Sequence, residues 1–185
     1  MHENLYALLL LLLIPVMLQA QIPKNISSLK VIILRHAEKP ATGDNLSCKG
    51  FNRSLQLPAA LVKQFGVPNY IYVPAPSVGK ATKSGRMLQT ISPLAIKYNL
   101  SVNTNFTVDQ TADLGKNILK KTGTIVVVWE HDNLPGIVKA LGITRKHLKW
   151  PGNDYDSIWL VTITHGKAVL TLSSEGITPK DNCMF

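Results

Sequence analysis

Two uninterrupted apolar runs, Val31-Ile32-Ile33-Leu34 and Ile125-Val126-Val127-Val128, constrain this chain more than anything else in its 185 residues. Both are short and rich in β-branched side chains, and neither alternates with polar residues. That pattern marks a strand covered on both faces, as in a parallel sheet under helices. The rest of the chain alternates in the same sense. Ser47 is placed to cap a helix that runs towards Phe65 and stops at Gly66. Pro58 should break that helix or begin a second one. A strand follows over 70–73, and Pro74-Ala75-Pro76 forces a loop. A helix opening at Thr82 or Ser84 reaches Tyr98, with Pro93 as a kink or a restart. Then come a strand over 102–106, a helix over 108–121, the second apolar strand over 124–129, and a helix over 133–141 with Pro135 in its first turn. Strands over 157–164 and 167–172 meet at His165-Gly166, a two-residue hairpin signal. The expectation is an α/β fold of three layers, α/β/α, with a mostly parallel sheet and an antiparallel edge.

Each apolar run ends in a basic or acidic residue followed by histidine: Arg35-His36 after the first, Glu130-His131 after the second. Open α/β sheets bind ligands beyond the carboxyl ends of their strands, so two such doublets face one crevice if their strands are neighbours. Arg86 would sit near the start of the helix after the middle strand and could project there too. Taken singly, each of these residues is more often a cap or a satisfied buried polar group. Taken in order, they describe a phosphate pocket: a histidine that can attack phosphorus, arginine forks for its oxygens, and a second imidazole to donate a hydrogen bond.

Arg35-His36-Ala37-Glu38, Leu46-Ser47 with Gly50 and Arg53, Arg86 with Gln89-Thr90, and His131 resemble the histidine phosphatase superfamily, also called phosphoglycerate mutase-like. The resemblance spans about residues 31–172. Trp129-Glu130-His131 with Asn133, then Tyr155-Asp156 before a late strand, is similar to a small-phosphatase branch of it. The resemblance implies a phosphoglycerate mutase-like fold and a phosphomonoester hydrolase. His36 would be the nucleophile and pass through a phosphohistidine. Arg35, Arg86 and His131 would hold the phosphoryl group, with Glu38 at the substrate's edge. No cofactor and no metal is implied, because the arginines supply the positive charge. The proton donor is open. The mutase-type branch has a glutamate between the middle helix and the second histidine strand, whereas here 91–129 contains only Asp109 and Asp113 as carboxylates. His131-Asp132-Asn133-Leu134 resembles the acid-phosphatase branch, where the aspartate after the histidine is the acid. Asp132 is therefore the first candidate, Glu130 the second, and Glu38 a rival.

Other side chains are given ordinary places. Arg53 reads as a helix-surface residue, with reach into the pocket as the lesser alternative, Gln89 and Thr90 as packing or bonding the backbone, Trp129 and Trp159 as core, and Trp150-Pro151-Gly152 as a loop anchor. Lys80 and Lys83 lie on the loop before Arg86, and Glu38 and Lys39 could form a local ion pair.

Residues 1–20, with the apolar block from Leu8 to Ile14 and Ala20 at its end, read as a secretory signal peptide cleaved after Ala20, leaving one domain over 21–185. The block is too short for a comfortable membrane span, although His2 and Glu3 stand where basic residues are usual, which leaves an uncleaved anchor as the alternative. The expected location is extracellular or periplasmic, where Cys48 and Cys183 are free either to pair or to remain apart. The formal charge is +9. The basic residues are dispersed, with neither a stripe nor interleaved aromatics, so a small phosphorylated substrate is expected and nucleic acid is not. Three rival readings remain: a non-catalytic anion-binding module of the same fold, a phosphoryl-transfer mutase, and a basic surface-adhesion protein.

Overall fold

The computed structural model describes residues 28–76 and 85–183. The expected signal peptide, Lys80, Lys83 and the helix starts expected at Thr82 or Ser84 lie outside them. Among the described residues no helix is long and apolar enough to cross a membrane.

The chain runs β1 (Leu29–Arg35), α1 (Cys48–Phe65), β2 (Tyr70–Pro74), α2 (Gly85–Tyr98), β3 (Val102–Phe106), α3 (Thr111–Ile118), β4 (Gly123–Trp129), a single 3-10 turn (His131–Asn133), α4 (Leu134–Ala140), β5 (Ser157–Thr164) and β6 (Lys167–Ser174). The six strands form one sheet in the order β3-β2-β4-β1-β5-β6. β1, β2, β3 and β4 are mutually parallel, whereas β5 runs antiparallel to β1 and β6 antiparallel to β5. The two apolar runs are central neighbours, in register from Leu29 opposite Gly123 to Arg35 opposite Trp129.

Burial on both faces has a simple cause. Val31, Ile33, Val127 and Trp129 point to one side and pack with Leu114 and Ile118 of α3 and Ile137 and Val138 of α4. Ile32, Leu34, Val126 and Val128 point to the other and meet Leu57 and Leu61 of α1 and Met87, Ile91 and Leu94 of α2. Successive strand residues alternate sides, so a run with no polar member needs a helix layer on each side. The three-layer α/β/α architecture follows from that requirement.

Three expectations are corrected. Pro58 neither breaks nor restarts a helix; α1 continues through it to Phe65. Its missing N–H leaves the Ser54 carbonyl without a helical partner, but Leu57, Pro58 and Leu61 are all buried, and that burial offsets the loss. The helix expected over 108–121 is only Thr111–Ile118, with turns on either side. The helix expected from Asn133 begins at Leu134, after a 3-10 turn containing His131 itself. The hairpin is as expected: His165 and Gly166 both have positive φ, 51° and 74°, as a type I′ turn requires.

Candidate active site

Arg35 and His36 leave the end of β1, and Glu130 and His131 leave the end of the adjacent β4. The His36 amide donates to the Trp129 carbonyl at 3.3 Å, which holds the two strand exits together. Arg86 lies in the first turn of α2. Thr90, one turn on, accepts from the Ala37 amide at 2.9 Å and donates to the Arg86 carbonyl at 2.7 Å. Gln89 accepts from the Leu46 amide at 3.0 Å. Gln89 and Thr90 thus bond backbone, as their sequence context suggested.

His36 is buried, and its Nδ1 lies 2.7 Å from the Ala37 carbonyl. A carbonyl only accepts, so Nδ1 carries the proton and Nε2 keeps its lone pair. Burial depresses the His36 pKa to about 4, opposed by the bond to Ala37 and reinforced by the charges of Arg35, Arg86 and His131. Arg35, Arg86 and His131 are thus all near enough for their charges to bear on the His36 ring. His131 is also pushed down, first by burial and then by Arg35.

Arg35 is fixed from above by the segment before β5. Its Nη1 donates to the carbonyls of Gly152 at 2.6 Å and Asp154 at 3.3 Å, and its Cζ sits 3.9 Å from the centre of the Tyr155 ring. That ring centre is 6.1 Å from the His36 ring. Gly152 also borders His131, since a Cβ there would lie 3.7 Å from His131 Nε2. Trp150 anchors the segment, buried with its ring centre 4.9 Å from that of Trp159 and its Nε1 donating to Asp154. Arg86 is held by the loop after β1, donating to the Gly43 carbonyl at 2.7 Å, with Asp44 3.9 Å away.

Among the described residues, two buried side-chain nitrogens have no hydrogen-bond partner: Arg35 Nε and His131 Nδ1. Buried polar atoms are nearly always paired, so orphaned atoms at a crevice mark where a polar ligand belongs. Both belong to residues the sequence had nominated.

The carboxylates separate into two groups. Asp132 is exposed, with an oxygen 3.5 Å from His131 Nε2, and Glu130 is half-buried one residue before His131. Both stand at the β4 exit, on either side of His131 in the chain. Glu38 does not stand there. It is buried and gripped by Arg53, whose Nε reaches its two oxygens at 3.1 and 2.9 Å. The expected ion pair of Glu38 with Lys39 is therefore corrected, and the oxygens offered as a substrate contact or proton donor are bonded to Arg53. Arg53 is corrected with it: not a helix-surface residue but a buried cation bonded also to Asp156 at 3.2 Å and Glu175 at 2.7 Å. Glu175 was not singled out in the sequence; Glu38, Arg53, Tyr155 and Asp156 were named there only as parts of the resemblance, without this pairing.

No protein-family model matches the chain, and no curated protein matches it by sequence. Solved structures do match in fold. One is the protein histidine phosphatase SixA complexed with tungstate, at 17% identity over 79% of this chain and 97% of that one, with a TM-score of 0.55. A second is a histidine-to-alanine variant of phosphoserine phosphatase from Entamoeba histolytica in complex with phosphoserine, at 15% identity over 80% and 97%, TM-score 0.52. A third is a mycobacterial glucosyl-3-phosphoglycerate phosphatase with inorganic phosphate, at 13% identity over 78% and 94%, TM-score 0.51. The fold is the phosphoglycerate mutase-like one expected from the sequence. At these identities the likeness is one of fold.

Proposed function

We propose that this protein hydrolyses phosphomonoesters through a phosphohistidine on His36. The observation that carries the reading is geometric: at the joined exits of β1 and β4, His36 ties its Nδ1–H to the Ala37 carbonyl and so keeps the lone pair of Nε2, while the neighbouring Arg35 Nε and His131 Nδ1 are buried without a partner. In the first step Nε2 attacks phosphorus and the ester P–O bond breaks. The imidazole becomes a cation as it is phosphorylated, and Ala37 accepts a stronger hydrogen bond from Nδ1. Arg35 Nε and His131 Nδ1, protonated, donate to the phosphoryl oxygens as charge redistributes. The leaving oxygen takes a proton from Asp132 or Glu130. In the second step water attacks phosphorus, gives a proton to that same carboxylate, and the P–N bond breaks to release phosphate and neutral His36.

The solved structures that share this fold are described as phosphatases, two of them holding tungstate or phosphate, which supports a tetrahedral anion in this crevice. The Cys48–Cys183 disulfide supports export, because such bonds persist in oxidising compartments. A small phosphorylated substrate remains the expected partner.

The direct test is p-nitrophenyl phosphate turnover by the wild-type protein and by His36→Ala. Release should fall to the uncatalysed background in the variant; equal traces would leave a non-catalytic anion-binding module. Asp132→Asn and Glu130→Gln then identify the acid. The true donor's variant should slow esters with poor leaving groups by roughly 10²–10⁴-fold while largely sparing p-nitrophenyl phosphate. If neither does, both assignments are wrong.

A further inference from the structure

Arg53 and the three carboxylates that surround it take no direct part in the mechanism above, yet they touch both walls of the crevice. One guanidinium, 4% exposed, donates from Nε and Nη2 to Glu38 at 2.9–3.1 Å, and from Nη1 to Asp156 at 3.2 Å and Glu175 at 2.7 Å. Glu38 is two residues beyond His36. Asp156 directly follows Tyr155, whose ring lies against Arg35. Asp156 is itself fastened to the end of β6: its side chain accepts from the amides of Ile177 at 3.0 Å and Gly176 at 3.3 Å, and its carbonyl from Glu175 at 2.7 Å.

We propose that Arg53 is a positioning residue of the phosphate site, holding the His36 exit and the Tyr155–Asp156 segment in one register through Glu38, Asp156 and Glu175. The inference rests on the phosphatase reading and goes beyond it. A lysine or a glutamine could not do this. Only a planar fork bonds a carboxylate with two nitrogens while presenting a third to two more carboxylates. Charge makes the arrangement conditional. One cation cannot balance three carboxylates, so the most buried of them keeps its proton. Glu175 is pushed up to about 8, first by burial and further by Asp156 and Glu38, against the pull of Arg53. The groups facing it are thus Arg53 of α1, Glu38 after β1 and Asp156 before β5. Ionisation of Glu175 at alkaline pH adds a buried negative charge to the joint between the two walls.

The experiment compares the wild type with Arg53→Lys, Arg53→Gln and Glu175→Gln. Readouts are kcat and KM for p-nitrophenyl phosphate between pH 6 and pH 9.5, inorganic phosphate binding by calorimetry, and folding by circular dichroism. Misplacing a reacting group by about 1 Å costs about 10²-fold, so the Arg53 variants should lose about 10–100-fold in kcat, Lys failing to rescue. The ratio of activity at pH 9 to that at pH 7 should be low in the wild type and higher in Glu175→Gln, which mimics the protonated acid. Folded Arg53 variants with wild-type kcat and KM would overturn the proposal. So would a Glu175→Gln pH ratio equal to the wild type's, and that readout decides the matter if the Arg53 variants fail to fold. A wild-type protein that binds phosphate without turnover would end the phosphatase reading alone; the positioning role would then stand or fall on weaker phosphate binding by Arg53→Gln.

Discussion

His36 shows how one contact can fix both the tautomer and the reactivity of a side chain. The Ala37 carbonyl accepts a hydrogen bond from Nδ1–H, and burial with nearby arginine charge disfavours a second proton on the ring. Its folded pKa of about 4 lies below the ordinary value of 6.5. The reactive neutral form therefore predominates down to about pH 4. The acid limb of kcat/KM should fall well below pH 6.5, provided an ester with a good leaving group removes the need for the proton donor. A limb at 6.5 would place His36 in water. The same shift affects stability: between the two values the unfolded chain takes up a proton that the folded one refuses. His36 thus contributes stability above pH 6.5 that is lost as pH falls towards 4.

Helix α1 brings its N-terminus directly onto the loop that follows His36. Ser47 caps it by accepting from the Gly50 amide at 3.1 Å, while the Ser47 amide and hydroxyl both donate to the Glu38 carbonyl. Gly50 permits that approach, since a Cβ there would fall 2.2 Å from the Glu38 oxygen. Backbone cannot swing aside as a side chain can. Gly50→Ala should cost roughly 1–3 kcal/mol by urea denaturation and also lower kcat. Gly115→Ala makes the comparison sharp. Its Cβ would meet Ala140 at 2.4 Å, between α3 and α4 and outside the site residues, so it should lose stability with kcat retained in the folded protein. Equal kcat in the two variants would uncouple α1 from the proposed chemistry at His36.

Across the whole molecule the Cys48–Cys183 disulfide joins the start of α1 to the end of the described chain, 135 residues away. Weaker ties run beside it, from the Asn52 side chain to the Lys180 and Asn182 carbonyls and from Lys49 to Asp181. Closing so long a loop restricts the unfolded chain, so reduction or Cys183→Ser should cost about 2–5 kcal/mol in urea. An unchanged midpoint would mean that the polar ties suffice. The sequence by itself determined the strands of the central sheet, the hairpin, the Ser47 cap and the order of Arg35, His36, Arg86 and His131, because periodicity, capping and turn chemistry act over a few residues. Tertiary structure alone decided that β1 and β4 are neighbours, that the cysteines pair, and that Tyr155 lies against Arg35. Arg53 gives the reason. A charged residue on a helix reads as exposed until its partners are known, and those partners lie 15, 103 and 122 residues away along the chain. Burial of a charge is set by what folding brings to it, and local sequence carries no record of that.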